Sequence, residues 1–151
     1  MASIKLNTNL QTVTGDIRAR IEKLKDKDYL LRPVCFDLID IMTKRIHNNG
    51  IASDGAPIGI YSKSYLKLRQ AKYKRDSDPK TIVSLTRQLE NDWSVIATPK
   101  GYGIGFLNEF NLKKARYVEQ IKDRIIFNLT MEENQYAIDL FNDLTNKALN
   151  D

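Results

Sequence analysis

The sequence predicts an α+β domain. A small antiparallel β-sheet, made of a β-hairpin plus short strands, is flanked by a long helix in the N-terminal half and by a C-terminal helix. Residues 29–48 carry apolar side chains at helical spacing. Two short runs of β-type residues are separated by Pro99-Lys100-Gly101, which is typical of a hairpin. The T-x-x-E sequence at 130–133 is typical of a helix start.

Length and composition limit the class of protein. The chain has 151 residues, of which 42% are hydrophobic and 28% charged, which suits one domain and excludes wholesale disorder. We expect a flexible arm at 1–13 and a single domain at 14–151. The only cysteine, Cys35, excludes an internal disulfide. The apolar runs are too short to span a membrane and the first residues lack a signal-peptide pattern, so we expect a soluble protein of a reducing compartment.

The N-terminal half is predicted to be helical. A short amphipathic helix is indicated by apolar residues at i, i+4 and i+7, namely Ile17, Ile21 and Leu24. The helix 29–48 is apolar on more than one side, so we expect it to be buried. Asp28 is its predicted N-cap, and Gly50 is predicted to take a left-handed conformation just past its end.

The middle of the chain alternates loops with shorter elements. Residues 51–61 are a Gly- and Pro-rich loop. A basic helix over 63–75 is predicted to follow, capped by Ser62 or Ser64. Its apolar edge is thin and consists of Tyr65, Leu68 and Tyr73.

A short β-type run at 80–86 and a turn or helical bridge at 87–93 lead into the hairpin. Its two strands are predicted at 94–98 and 102–108.

The C-terminal third is predicted to contain two helices. The first covers 112–123 and is followed by a short strand or extended segment at 125–128. The capping box at 130–133 opens the second helix, which runs to about residue 149 by its apolar spacing. Its apolar face consists of Ala137, Leu140, Phe141, Leu144 and Ala148.

The charge is unevenly distributed. The net charge is +5, and residues 63–80, called the basic segment below, contain seven basic and two acidic residues. Residues 131–151 contain five acidic residues and one lysine. A basic surface suits a polyanion such as nucleic acid, and two opposite charges on one chain also suit head-to-tail association, although both can simply be solvated faces. The candidate basic patch consists of Lys63, Lys67, Arg69, Lys72, Lys74, Arg75 and Lys80.

The candidates for catalysis are weak, so we expect no enzyme activity, no cofactor and no metal. Asp37 and Asp40 can share a helix face, but they fit a solvent-exposed strip at least as well as an acid–base pair. The single histidine, His47, has no cysteine cluster around it and is placed at a helix end. The glycines of G-Y-G-I-G lack phosphate-loop spacing and indicate close backbone approach in a hairpin.

The order of motifs resembles the bacteriophage virion-morphogenesis and tail-completion proteins of the head–tail junction. The resemblance covers about residues 30–150. Two departures stand out, because Ile60-Tyr61 replaces the tryptophan usual in the loop and Arg87-Gln88 replaces a usual glycine. The matching pieces are Gly55–Tyr61, Ser62–Arg69, Leu85–Ser94, Tyr102–Phe106 and Ile126–Phe127.

The resemblance implies a structural subunit of a neck ring that joins portal to tail and lines or seals the DNA channel. It implies a six- or twelve-fold homo-oligomer in the virion, assembled in the host cytoplasm, with portal, tail or other connector proteins as partners and non-specific contact with packaged double-stranded DNA. The basic patch would face the channel or a partner ring. The subunit-contact candidates are Gly101, Tyr102, Gly103, Glu132, Glu133, Asp139 and Asp143.

Two other functions remain open on the sequence. A small sequence-independent nucleic-acid-binding protein would bind as a monomer with a steep salt dependence. A nuclease that uses Asp37, Asp40 and a divalent ion would show metal-dependent turnover.

Overall fold

The structure is a computed structural model that describes residues 10–150. In this part of the chain it contains six α-helices, one short π-helical segment and a two-stranded antiparallel sheet, which confirms the α+β class. Residues 1–9 of the predicted arm lie outside the described residues. The last four residues of that arm, 10–13, belong to the first helix.

The helices and strands follow one another with short connections, apart from the loops before and after the third helix and the segment before the last helix. In chain order they are α1 (Leu10–Lys25), α2 (Lys27–Thr43), α3 (Lys63–Tyr73), α4 (Gln88–Asp92), β1 (Trp93–Thr98), β2 (Gly101–Phe106), α5 (Glu109–Lys122) and α6 (Met131–Asn150). A π-helical segment, Lys44–Asn48, continues α2 without a break.

The long predicted helix is confirmed as α2 with its π-helical extension, but its cap is Asp26. The Asp26 carboxylate accepts hydrogen bonds from the N–H groups of Asp28 and Tyr29, at 2.9 and 3.2 Å. The prediction that Asp28 is the N-cap is wrong, because an N-cap residue has an extended backbone and Asp28 is already helical. Gly50 does adopt φ +62°, and a Cβ there would overlap the carbonyl oxygen of Thr81.

The core lies between α2, the hairpin and the segment after α5. Trp93 packs against Phe106 and Phe127, with ring centroids 4.7 and 5.5 Å apart. The buried side of α2 and its extension supplies Met42 and Ile46, which join the same cluster. Burying these apolar side chains is the main favourable contribution to folding here.

The predicted hairpin is confirmed, with a two-residue turn at Pro99-Lys100. Trp93 pairs with Phe106 and Thr98 pairs with Gly101. The second strand ends at Phe106, two residues before its predicted end. Gly101 is buried, and a Cβ on it would come within 3.2 Å of Leu31 on α2, so the close backbone approach is real at this glycine.

The predicted β-type run at 80–86 is not a strand. Within the described residues, its only β-pairing is an isolated bridge between Ile60 and Lys80. Val83 has φ +46°, which a regular strand does not allow. The segment lacks a neighbouring strand, so its carbonyl groups accept hydrogen bonds from side chains instead.

The segment at 125–128 is likewise irregular, and side chains satisfy its backbone. The Glu119 carboxylate accepts the N–H groups of Ile126 and Phe127, at 2.7 and 3.0 Å. Arg45 donates to the carbonyls of Ile126 and Asn128, at 3.2 and 2.8 Å. The carbonyl of Ile125 accepts the N–H and the hydroxyl of Ser53. The segment is therefore attached to α5, to the π-helical segment and to the 51–61 loop rather than to a sheet.

The predicted capping box is confirmed at the start of α6. The Thr130 hydroxyl accepts the N–H of Glu133 at 3.0 Å, and a Glu133 oxygen accepts the N–H of Thr130 at 2.8 Å. The other Glu133 oxygen lies 2.6 Å from Nε of Arg45, whose side chain is only 10% exposed. Arg45 also donates to the carbonyl of Ile51 at 2.9 Å. One buried ion pair thus joins α2, the 51–61 loop, the 125–128 segment and α6.

We expect Arg45→Met to lower the free energy of unfolding by about 3–5 kcal/mol, because it leaves the buried Glu133 carboxylate without its partner. Urea denaturation followed by circular dichroism measures this. The matched control is Lys44→Met, which breaks the exposed pair with Asp40 and should cost less than about 1 kcal/mol. Equal losses in the two variants would show that the Arg45 pair does not hold the fold together.

Candidate functional site

A groove with a volume of about 840 Å³ lies between α3, residues 81–89 and α5. Its lining is mostly apolar, with lysines and hydroxyl groups at a few points. Concave apolar surfaces with a few polar groups are typical of binding sites. We call it the tyrosine groove, after its four lining tyrosines Tyr61, Tyr65, Tyr73 and Tyr117.

α3 forms one wall of the tyrosine groove. The Ser62 hydroxyl caps it by accepting the N–H of Tyr65 at 3.3 Å, which decides between the two predicted caps. The rings of Tyr61 and Tyr65 lie 5.1 Å apart. The Tyr61 hydroxyl, just before α3, accepts the N–H of Ile82 at 3.3 Å and ties the start of this wall to the neighbouring one. Burial raises the pKa of Tyr61, although the nearby Arg69 opposes it, so this hydroxyl stays protonated.

Residues 81–89 form the second wall and are held in place by arginines of the basic segment. Arg69 donates to the carbonyl of Ser84 at 2.6 Å. Arg75 donates through two nitrogens to the carbonyl of Leu85, at 3.0 and 2.8 Å. These bonds give the irregular wall a defined position although it belongs to no sheet.

α5 forms the third wall. Asn108 caps it by accepting the N–H of Phe110 at 2.8 Å, so the helix begins three residues before its predicted start. Phe110, Tyr117 and Ile121 share one side of α5, and they are 72%, 64% and 58% exposed. Large apolar side chains exposed in a row next to a concave surface indicate an interaction site.

The polar groups of the groove include two lysines with neutral partners. Lys114 donates to the side chain of Gln88 at 2.7 Å, and Lys122 donates to the carbonyl of Ile60 at 2.8 Å. Neither lysine forms an ion pair with a carboxylate of residues 10–150. Burial lowers the pKa of Lys122. The hydroxyl of Thr81, a lining residue that is 1% exposed, has no hydrogen-bond partner in the described part of the chain.

The predicted basic patch is split by the structure. Arg69 is 1% exposed and its guanidinium carbon lies 4.4 Å from the centroid of the Tyr61 ring, so its assignment to a DNA-facing surface is wrong. The reason is that α3 turns Arg69 inward, where a thin apolar edge was predicted, and leaves Leu68 46% exposed. Arg75 is half-buried and donates to the carbonyl of Leu85. The remaining members are exposed or half-exposed, namely Lys63, Lys67, Lys72, Lys74 and Lys80.

The predicted subunit-contact residues fall into three groups by burial. Gly101 and Glu133 are buried inside the fold, against Leu31 and in the ion pair with Arg45, so neither is free to contact another subunit. Tyr102 and Gly103 are half-buried in the hairpin. The acidic residues of α6 that stay exposed are Glu132, Asp139 and Asp143.

The residues considered for catalysis have structural partners. Asp37 accepts the hydroxyl of Tyr136 at 3.2 Å, and Asp40 pairs with Lys44 at 2.7 Å, both on the exposed surface. Cys35 is buried, and burial raises its thiol pKa. Within the described range, no three or more His, Cys, Asp or Glu residues are grouped so as to hold a metal ion.

The α5 wall was missed by the sequence reasoning. Its signal is present, because Phe110, Lys114, Tyr117 and Ile121 recur at i, i+4, i+7 and i+11, the spacing of one helix face. Such spacing normally predicts a buried face. Only the packing shows that this stripe is left uncovered.

Comparison with protein-family models, with curated proteins and with solved structures finds no match to this chain. The resemblance to the virion-morphogenesis proteins therefore stays a prediction. None of the helices in the described part of the chain has the length and apolar character needed to cross a membrane.

We expect Arg69→Met to lower the free energy of unfolding by about 1–3 kcal/mol, because the buried carbonyl of Ser84 loses its donor. The matched control, Lys67→Met on the exposed side of the same helix, should change it by less than about 0.5 kcal/mol. Chemical denaturation measures both. A stable Arg69→Met protein would contradict the structural role given to this arginine.

His47 makes stability depend on pH. Its ring lies in the core, with Nδ1 3.2 Å from the carbonyl of Val83. Burial lowers the pKa of His47, against the opposing effect of the Glu90 carboxylate. The folded chain therefore binds the proton more weakly than the unfolded chain. Stability is highest above the ordinary histidine pKa of about 6.5 and is lost as the pH falls below it.

The test is the urea midpoint at about pH 7.5 and about pH 5.5 for the natural chain and for His47→Asn. Asparagine retains a donor near the Val83 carbonyl but does not titrate. We expect the urea midpoint to fall clearly less between the two pH values in the variant, since His47 is the only histidine. Identical decreases would assign the acid sensitivity to other groups.

Proposed function

We propose that this chain is a structural subunit of a phage head–tail connector, a neck ring that joins portal to tail and lines or seals the DNA channel. The observation that carries the proposal is the tyrosine groove with the uncovered stripe of α5. Phe110, Tyr117 and Ile121 in this stripe are 58% to 72% exposed. Exposing such large side chains to water is unfavourable unless another protein covers them. The order of motifs described above supplies the class of assembly.

The charge distribution supports association in a ring. Lys114 and Lys122 line the groove on α5 without a carboxylate partner among residues 10–150, and Glu132, Asp139 and Asp143 remain exposed on α6. Two different surfaces of opposite charge suit a heterologous contact, which closes into a ring when the rotation allows. Of the basic segment, Lys63 and Lys67 share the outer side of α3 and are the residues best placed to face DNA or a partner ring.

Sequence-independent nucleic-acid binding is the second candidate, and one observation favours it. Tyrosines and lysines line the same groove, and bases stack on aromatic rings while lysines neutralise phosphates. This function needs the free monomer to bind single strands, with an affinity that falls steeply with salt. The connector proposal needs an assembly and expects only weak binding by the monomer.

The connector proposal is tested by a nonsense mutation in the gene of the phage that encodes this chain, followed by electron microscopy of the particles. We expect separated heads and tails, or heads that lose their DNA, and normal particles when a suppressor host restores the full chain. Intact, infectious particles without suppression would overturn the proposal.

A further inference from the structure

The outer face of α6 is a second uncovered surface. Met131, Ile138 and Leu149 recur on one side of this helix, and they are 90%, 45% and 41% exposed. Beside this apolar stripe runs an acidic one, which consists of Glu132, Asp139 and Asp143. None of these three carboxylates forms an ion pair with a cation of residues 10–150. We call the two stripes together the outer face of α6.

The tyrosine groove carries the complementary features. Its α5 wall presents an apolar stripe, and Lys114 and Lys122 line it without carboxylate partners in the part of the chain described here. Each surface thus offers apolar side chains flanked by charges of one sign. Apolar contact supplies affinity in such an interface, and charge complementarity sets its orientation and its partner.

The spacing of the charges agrees on the two helices. Lys114 and Lys122 are eight residues apart on α5, which at the helical rise is about 12 Å along the axis. Glu132 and Asp139 are seven residues apart on α6, which is about 10 Å. Two lysines can therefore meet two carboxylates while the apolar stripes face each other.

We infer that the tyrosine groove receives the outer face of α6 from a second copy of this chain, as a helix laid into an apolar groove. Within one chain α6 packs against α1 and α2, whereas the groove belongs to α3, residues 81–89 and α5. Every copy therefore has one groove and one helix face to offer, so copies join head to tail. The inference rests on the proposed ring function and identifies the contact between its subunits.

Charge reversal tests the contact in the full chain. The groove variant is Lys114→Glu with Lys122→Glu, and the helix variant is Glu132→Lys with Asp139→Lys. The control is Arg18→Glu with Lys23→Glu, which makes the same charge change at exposed positions of α1 outside the groove lining. Sedimentation velocity over about 1–500 µM gives the association constant of each protein. Circular dichroism confirms that each variant is folded.

We expect the natural chain and the control to associate equally well. The groove variant and the helix variant should each associate about tenfold more weakly or worse, because like charges then face each other. The chain with all four substitutions should recover to within about threefold of the natural chain, since the pairs are restored in reversed order.

Three outcomes overturn the inference. In the first, the natural chain stays monomeric at every concentration. In the second, the groove variant associates as well as the control. In the third, the chain with all four substitutions associates as weakly as the two double variants. If the groove variant instead loses binding to a single-stranded oligonucleotide while association is unchanged, the groove is a nucleic-acid site. The proposed function fails separately, because infectious particles from the nonsense mutant overturn the connector role whatever sedimentation shows.

Discussion

The need to satisfy backbone carbonyls outside regular structure governs this fold. Three long connections, at 49–62, 74–87 and 123–130, lie outside the helices and strands of the described chain. A buried carbonyl without a donor costs about 1–3 kcal/mol, so each connection requires side-chain partners. Arg45, Arg69 and Arg75 provide them through guanidinium N–H donors. Arg45 reaches three carbonyls, whereas both donors of Arg75 bond the carbonyl of Leu85. The positions of the loops therefore depend on a few buried or half-buried cations.

This use of arginine changes the meaning of the charge pattern. A cluster of basic residues in the sequence suggests a surface for polyanions, because cations are normally solvated. Arg69 is instead enclosed between the Tyr61 ring and the carbonyl of Ser84. The Arg69 guanidinium therefore bonds groups inside the protein, and the half-buried Arg75 guanidinium likewise bonds a backbone carbonyl. Within the basic segment, the basic residues that remain exposed are all lysines.

The tyrosine groove follows from the same arrangement. Residues 81–89 are attached to α3 by Arg69, to the segment after it by Arg75 and to the π-helical segment by His47, and their contact with α5 includes the bond from Lys114 to Gln88. The space between them is lined by apolar side chains that the chain itself does not cover. The outer face of α6 carries apolar and acidic side chains complementary to this lining, and we infer that it covers the groove in a neighbouring copy.

The sequence by itself determined the elements whose signals are local. The stripe of α2, a serine cap before α3 at Ser62 or Ser64, the hairpin around Pro99-Lys100 and the capping box at Thr130 are each encoded within a few residues, because periodicity, turns and caps act over one or two turns of chain. Only the tertiary structure decided what depends on distant partners. The β-type run at 80–86 became a loop because its carbonyls found side chains rather than a strand, Arg69 turned inward to supply them, and the stripe of α5 was left uncovered. Local spacing predicts that a face is apolar, but whether another element covers it is settled by long-range packing.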